Sequence, residues 1–150
     1  TLPLAKSLVR ESNVSRFAGT LAMLLKSGVP VDEALKIASE TASNFYFKKA
    51  LVEVGESARR GAKLATSLAA YPKLFPTLAT DLVRVGEESG KFEETLTYIA
   101  EFYEAEVDKT TKNISTTIEP ALLLFIGLIV AVFALSIITP IYELTGNIKR

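Results

Sequence analysis

The stretch Pro120–Tyr142, PALLLFIGLIVAVFALSIITPIY, runs for 23 residues without a charged side chain. As a helix it would span roughly 34 Å, enough to cross a hydrocarbon core of about 30 Å. Ser136 and Thr139 can return their hydroxyls to backbone carbonyls. Gly127 and Pro140 are residue types that membrane helices tolerate. A buried hairpin of a soluble core is the competing reading. A run this long and uncharged is hard to hide in a 150-residue chain. The run sits at the far end of the chain, so it is not a secretory signal peptide.

Removing that segment leaves about 119 residues, room for one modest domain. The whole chain carries 17 Lys/Arg and 17 Asp/Glu. A net charge of zero gives no global case for nucleic acid or an anionic surface. The distribution is uneven: residues 1–86 are net +5 and residues 87–119 net −6. That asymmetry suits self-association or docking to a charged partner, and equally a solvated acidic helix face. There is no Cys and no His. Disulfide and thiolate chemistry are absent, as are the usual near-neutral proton shuttle and the commonest metal ligand. The chain starts at Thr1 rather than Met and reads as part of something longer.

Residues 1–12 read as a linker, with Ser12 or Asn13 capping a first helix. Val14, Phe17, Ala18, Leu21, Leu24 and Leu25 then recur at helical spacing. Gly28 stops this helix, and Pro30 fits the first turn of the next, with Asp32 and Glu33 near its positive end. Ala34, Leu35, Ile37 and Ala38 form the buried side of that second helix. Asn44 or Ser43 opens a third, striped by Phe47, Ala50, Leu51, Val54 and Ala58 and closed at Gly61. A short helix over Leu64–Ala70 ends at Tyr71-Pro72. Pro76 starts a fifth, with Leu78, Ala79, Leu82 and Val85 facing inward, and Gly90 closes it. The last helix starts near Lys91 and keeps its period through Phe92, Leu96, Ile99, Ala100, Tyr103 and Val107. Polar residues follow to Thr117, but nothing breaks the helix, and Pro120 is accommodated as a kink or a new first turn. No segment alternates with period two. The expected fold is all-α: a six-helix antiparallel bundle over residues 13–119, a membrane helix over 120–142, and a tail over 143–150.

Half repeats are visible. Residues 21–35, LAMLLKSGVPVDEAL, and 82–96, LVRVGEESGKFEETL, share an apolar helix end, a glycine, and an acidic pair before Ala-Leu or Thr-Leu. Two stacked helix–turn–helix units would produce this pattern.

No catalytic, cofactor or metal site emerges. The Gly86–Phe92 segment has superficial features of a phosphate loop, but it is one residue short between the glycines. Phe92 stands where Ser or Thr would hold magnesium, and no strand precedes it. Gly86 reads instead as a close-packing position and Gly90 as a left-handed one. Glu87 and Glu88 point about 100° apart on a helix and do not converge. Glu101, Glu104 and Asp108 share a face and could hold a hard cation, though a solvated row is the commoner outcome. Arg59, Arg60 and Lys63 could touch lipid headgroups or an acidic partner, or simply cap and solubilise. Glu119 sits at the edge of the apolar run, as a boundary marker or a pairing group. Gly127 and Ala131 give a small-xxx-small face suited to close helix packing.

Leu24-Leu25-Lys26-Ser27-Gly28-Val29-Pro30, Tyr71-Pro72 with Phe75-Pro76, Val85-Gly86-Glu87-Glu88-Ser89-Gly90, Glu119-Pro120 and Pro140-Ile141-Tyr142 occur together in one order across nearly the whole chain. In this the chain resembles the inner-membrane platform proteins of bacterial type II secretion and type IV pilus systems, the GspF/PilC family. The resemblance implies two cytoplasmic six-helix domains and three membrane helices in the whole protein. This chain would be the second domain with the last membrane helix, ending in Ile148-Lys149-Arg150.

It also implies a non-enzymatic adaptor in the bacterial inner membrane, with residues 1–119 in the cytoplasm. Its partners would be a cytoplasmic secretion or pilus assembly ATPase, the transmembrane segments of pilins or pseudopilins, other inner-membrane machine subunits and further copies of itself. The family's Gly-Glu-x-x-Gly turn falls on Gly86, Glu87 and Gly90 and its Glu-Pro on Glu119 and Pro120. With Gly28 and Pro30, these are expected as packing and interface positions. Charge does not orient the span: Lys109 and Lys112 lie on one side, Lys149 and Arg150 on the other. The rival readings are a membrane-anchored scaffold or sensor unrelated to pili, and a membrane-bound enzyme using Asp/Glu and Lys chemistry. For the enzyme, Glu87→Ala or Glu119→Gln should abolish a hydrolase activity.

Overall fold

The computed structural model describes residues 3–148, and every element in it is a helix. The order is α1 (Pro3–Lys26), α2 (Val31–Thr41), α3 (Phe45–Arg59), α4 (Leu64–Ala69), α5 (Thr77–Ser89) and α6 (Phe92–Asn147). No strand occurs among the described residues. The chain divides into two compact units, residues 1–110 and 111–150, and α6 contributes to both.

In the first unit, α1 packs on α2, α2 on α3, α3 on α4 and α4 on α5. The core gathers the apolar stripes of all six helices. Leu21, Leu35, Leu51 and Leu96 are fully buried, and Phe17, Phe47 and Phe75 meet at its centre. Their ring centroids lie 4.6 to 6.4 Å apart, within the range where edge and tilted aromatic contacts are favourable. Phe75 comes from the link between α4 and α5, so the Tyr71-Pro72 to Phe75-Pro76 segment is pinned to the core rather than left as a surface loop. The α1–α6 contact is close. Ser15 Oγ donates to the Ala100 carbonyl at 2.9 Å, and a Cβ added at Gly19 would touch the Ala100 Cβ at 3.5 Å.

The helix ends follow local chemistry. Three glycines have positive φ: Gly28 at 85°, Gly61 at 87° and Gly90 at 72°. After α1, the Val29 amide bonds the Leu24 carbonyl and the Gly28 amide that of Leu25. Ala62 and Gly61 repeat this on Ser57 and Ala58 after α3. Both are Schellman closures, which only a left-handed residue completes without strain. Asn44 caps α3 by accepting from the Tyr46 amide at 2.8 Å. Pro30 and Pro76 sit one position earlier than a first helical turn, at the N-cap of α2 and α5.

Two expectations are corrected. Residues 3–12 are the opening turns of α1, not a linker, and Ser12 and Asn13 cap nothing. Asn13 lies inside the helix, where its Nδ2 donates to the Val9 carbonyl at 2.8 Å and its Oδ1 accepts from Ser43 Oγ at 3.2 Å. Those bonds satisfy a polar side chain that would otherwise favour a helix start. On α5, Ala79 is buried as expected, but Leu78 and Val85 are exposed, and Thr80, Val83 and Gly86 are buried in their place. The face that points inward is the one that lets Gly86 meet α6.

In the second unit, α6 carries the apolar run, and its side chains are exposed throughout. This is the helix, among the described residues, long and apolar enough to cross a membrane. It continues through Pro120 and Pro140. Ser136 Oγ donates to the Val132 carbonyl at 2.8 Å and Thr139 Oγ1 to that of Leu135 at 2.7 Å, as expected.

Candidate functional site

The Gly86–Gly90 turn joins three helices. A Cβ at Gly86 would fall 2.9 Å from the Thr95 Cβ and 3.0 Å from its Oγ1, closer than real Cβ atoms approach. Glycine is therefore what allows α5 and α6 to touch here. Glu87 points the other way, to the start of α4. Its Oε1 accepts from the Leu64 amide at 2.6 Å and its Oε2 from the Ala65 amide at 2.9 Å. Lys63, at the N-cap of α4, gives no side-chain cap. The carboxylate thus supplies from α5 what the local sequence lacks. Its charge also faces the positive end of the helix dipole. Glu88 turns outward, 3.9 Å from Lys63 Nζ in an exposed pair. The two glutamates separate, as adjacent helix positions require. The arrangement is a structural clasp of α4, α5 and α6, with a carboxylate where an anion-binding loop would leave its amides open.

Gly28 and Pro30 form the corresponding turn between α1 and α2. The half repeats map onto the structure in kind: Gly28 and Gly90 share the left-handed conformation, and Leu35 and Leu96 are both fully buried. Asp32, in the first turn of α2, lies 3.8 Å from Arg59 Nε in an exposed ion pair.

Glu119, Pro120, Gly127 and Ala131 all lie on α6 in the second unit and are exposed. A Cβ at Gly127 would meet open space. The structure does not bring these four together with the Gly86–Gly90 turn in one unit. Glu101, Glu104 and Asp108 are exposed along α6 in the first unit. Among the described residues, no three carboxylates are grouped so as to hold a metal ion.

Four features were not read from the sequence. Thr95 is the neighbour that makes Gly86 necessary. Tyr71 donates its hydroxyl to Glu53 Oε2, which raises the phenol pKa above its ordinary value. Beside this pair, Tyr46, Lys49, Tyr71, Pro72, Lys73 and Leu74 line a groove of about 630 Å³ between α3 and the link to α5. Tyr103, buried on α6, also has a raised pKa. Burial is the main cause, opposed by Arg10 and by a backbone hydrogen bond from Ala79.

Residues 17–140 match the family model described as type II secretion system, protein F. The chain is 35% identical over 148 residues to the type IV pilus assembly protein PilC of Thermus thermophilus, covering 99% of this chain and 36% of that protein. To the PilC of Myxococcus xanthus it is 34% identical over 148 residues, covering 99% and 35%. To the type II secretion system protein F of Pseudomonas aeruginosa it is 36% identical over 143 residues, covering 95% and 35%. The chain spans about a third of the length of these curated relatives.

Proposed function

From the premise that this chain belongs to the type II secretion system protein F family, we propose that it is part of an inner-membrane platform of a pilus or secretion machine. In this reading it couples a cytoplasmic assembly ATPase to the polymerisation of pilins or pseudopilins. Residues 1–119 face the cytoplasm, and residues 120–142 cross the membrane. The role is mechanical and non-enzymatic. The bundle meets the ATPase and other machine subunits, and the span meets pilin transmembrane segments and its own copies.

One observation carries the reading beyond family membership. Helix α6 places Leu96, Ile99 and Tyr103 in the bundle core and also supplies the exposed apolar run. A helix that is at once a core element and a membrane element suits an anchor for force better than a tethered sensor, whose span would connect through a flexible linker.

The test is capture of candidate ring ATPases and prepilins by the full-length parent protein in detergent, with and without residues 1–150. Binding that requires this segment supports the role. Retention of neither ATPase nor prepilin would reduce the chain to a membrane-anchored scaffold.

A further inference from the structure

The α3 groove has a basic rim and aromatic walls. Phe45 and Tyr46, at the start of α3, are 74% and 72% exposed and hold each other edge to face at 6.0 Å. Lys49 and Lys73 line the groove and are exposed. Glu53, the carboxylate in the groove, already accepts from Tyr71 and lies 4.0 Å from Lys49. The local balance is therefore positive, and two large rings face water at its edge.

Helix α6 carries the opposite surface. Glu94, Tyr98, Glu101, Ala105 and Asp108 are exposed at spacings of three and four, which sets them in one stripe. Among the described residues, no ion pair joins Glu94, Glu101 or Asp108 to a cation, whereas Glu88 and Glu106 are paired. Tyr98 is 55% exposed and stacked on Phe102 at 6.3 Å, so its ring is held in place on an acidic ridge.

We propose that the groove of one copy receives the Glu94–Asp108 stripe of a second copy. Tyr98 enters between Tyr46 and Pro72, and the carboxylates meet Lys49 and Lys73. Each surface explains the other: an aromatic groove with spare positive charge, and an acidic ridge bearing one projecting ring. The stripe rises about 21 Å along α6, long enough to cover the groove and its rim. The contact is heterologous, because groove and stripe are different patches of the chain. Such a contact closes as a reciprocal pair or a ring, or propagates as an open chain, according to the rotation between copies.

The chain contains no cysteine, so a disulfide can report this contact without background. Two full-chain variants in lipid nanodiscs or detergent, Ala70→Cys in the groove and Ala105→Cys on the stripe, leave every charge of the contact in place and are mixed and oxidised. A cross-linked dimer is expected in the mixture at about tenfold the yield from either variant alone. Adding Lys49→Glu to the first variant should lower that yield by about tenfold, through like-charge juxtaposition. Adding Glu94→Lys to the second as well should restore it. A mixture that cross-links no better than Lys63→Cys with Ala105→Cys would overturn the proposal. So would a yield that falls with Lys49→Glu and does not return with Glu94→Lys, because the occupant would then be something other than this stripe. Either failure leaves the platform role standing.

Discussion

Glu87 and Leu64 stand 23 positions apart, yet the carboxylate of one accepts from the amide of the other at 2.6 Å. A six-residue helix, α4, thereby receives its N-terminal cap from a different helix. Replacing Glu87 with Ala leaves two first-turn amides without their acceptor. The expected cost is about 1–2 kcal/mol. Hydrogen exchange at Leu64 and Ala65 should accelerate before the rest of the bundle loosens. Unchanged protection at these two amides would show that the cap contributes nothing.

Gly86→Ala should cost about 1–3 kcal/mol, the range for an added carbon in a packed contact. Thr95 is the group it would strike. Trimming Thr95 to Gly in the same chain should therefore recover part of the loss, despite the helix penalty of the second glycine. Thermal melts of the two single variants and the double variant close the cycle. Strict additivity would mean that the 2.9 Å approach is relieved some other way.

Gly28→Ala tests conformation alone, because nothing lies within 4 Å of where its Cβ would be. With φ at 85°, the cost is that of forcing an L-residue into the left-handed region, about 1–2 kcal/mol. Gly28→Asn should lose less, since Asn tolerates this region. Equal melting temperatures for the Ala and Asn variants would contradict this.

Tyr103 makes stability fall in alkali. Burial raises its pKa above 10.0. Stability is fully present below that ordinary value. Between it and the raised value, the folded chain keeps a proton that the unfolded chain has released. Stability therefore declines as pH rises through this window. Tyr103→Phe should flatten the decline, read by denaturant titration from pH 9 to 11.5. Tyr71 titrates in the same direction because of Glu53, so Tyr71→Phe serves as the companion measurement.

The helix ends were legible because they depend on near neighbours. Gly28, Gly61 and Gly90 mark left-handed closures, and Asn44 a cap, whatever the rest of the chain does. The apolar stripes of α1, α2, α3 and α6 were legible for the same reason. What escaped the sequence depends on distant partners. Asn13 looks like a helix start until Val9 and Ser43 take its hydrogen bonds. The inward face of α5 is chosen by Thr95, not by the larger side chains Leu78 and Val85. Glu87 has no local sign of serving α4. The groove beside Tyr71 arises from residues 46–53 meeting residues 70–74, which no single stretch announces.

Helix α6 also carries hydroxyls that are already spoken for. Ser115, Thr116 and Thr117 donate to the carbonyls of Thr111, Lys112 and Asn113, and Thr145 does the same to Ile141. A hydroxyl bonded within its own helix gives up little on leaving water. The limits of the apolar run are set instead by charge, by Glu119 one position before it and Glu143 one position after it. A shift of about one 5.4 Å turn in either direction would carry one of these carboxylates into hydrocarbon, a cost that fixes the depth of such a helix. In a thinner bilayer it would meet mismatch by tilting rather than by changing depth.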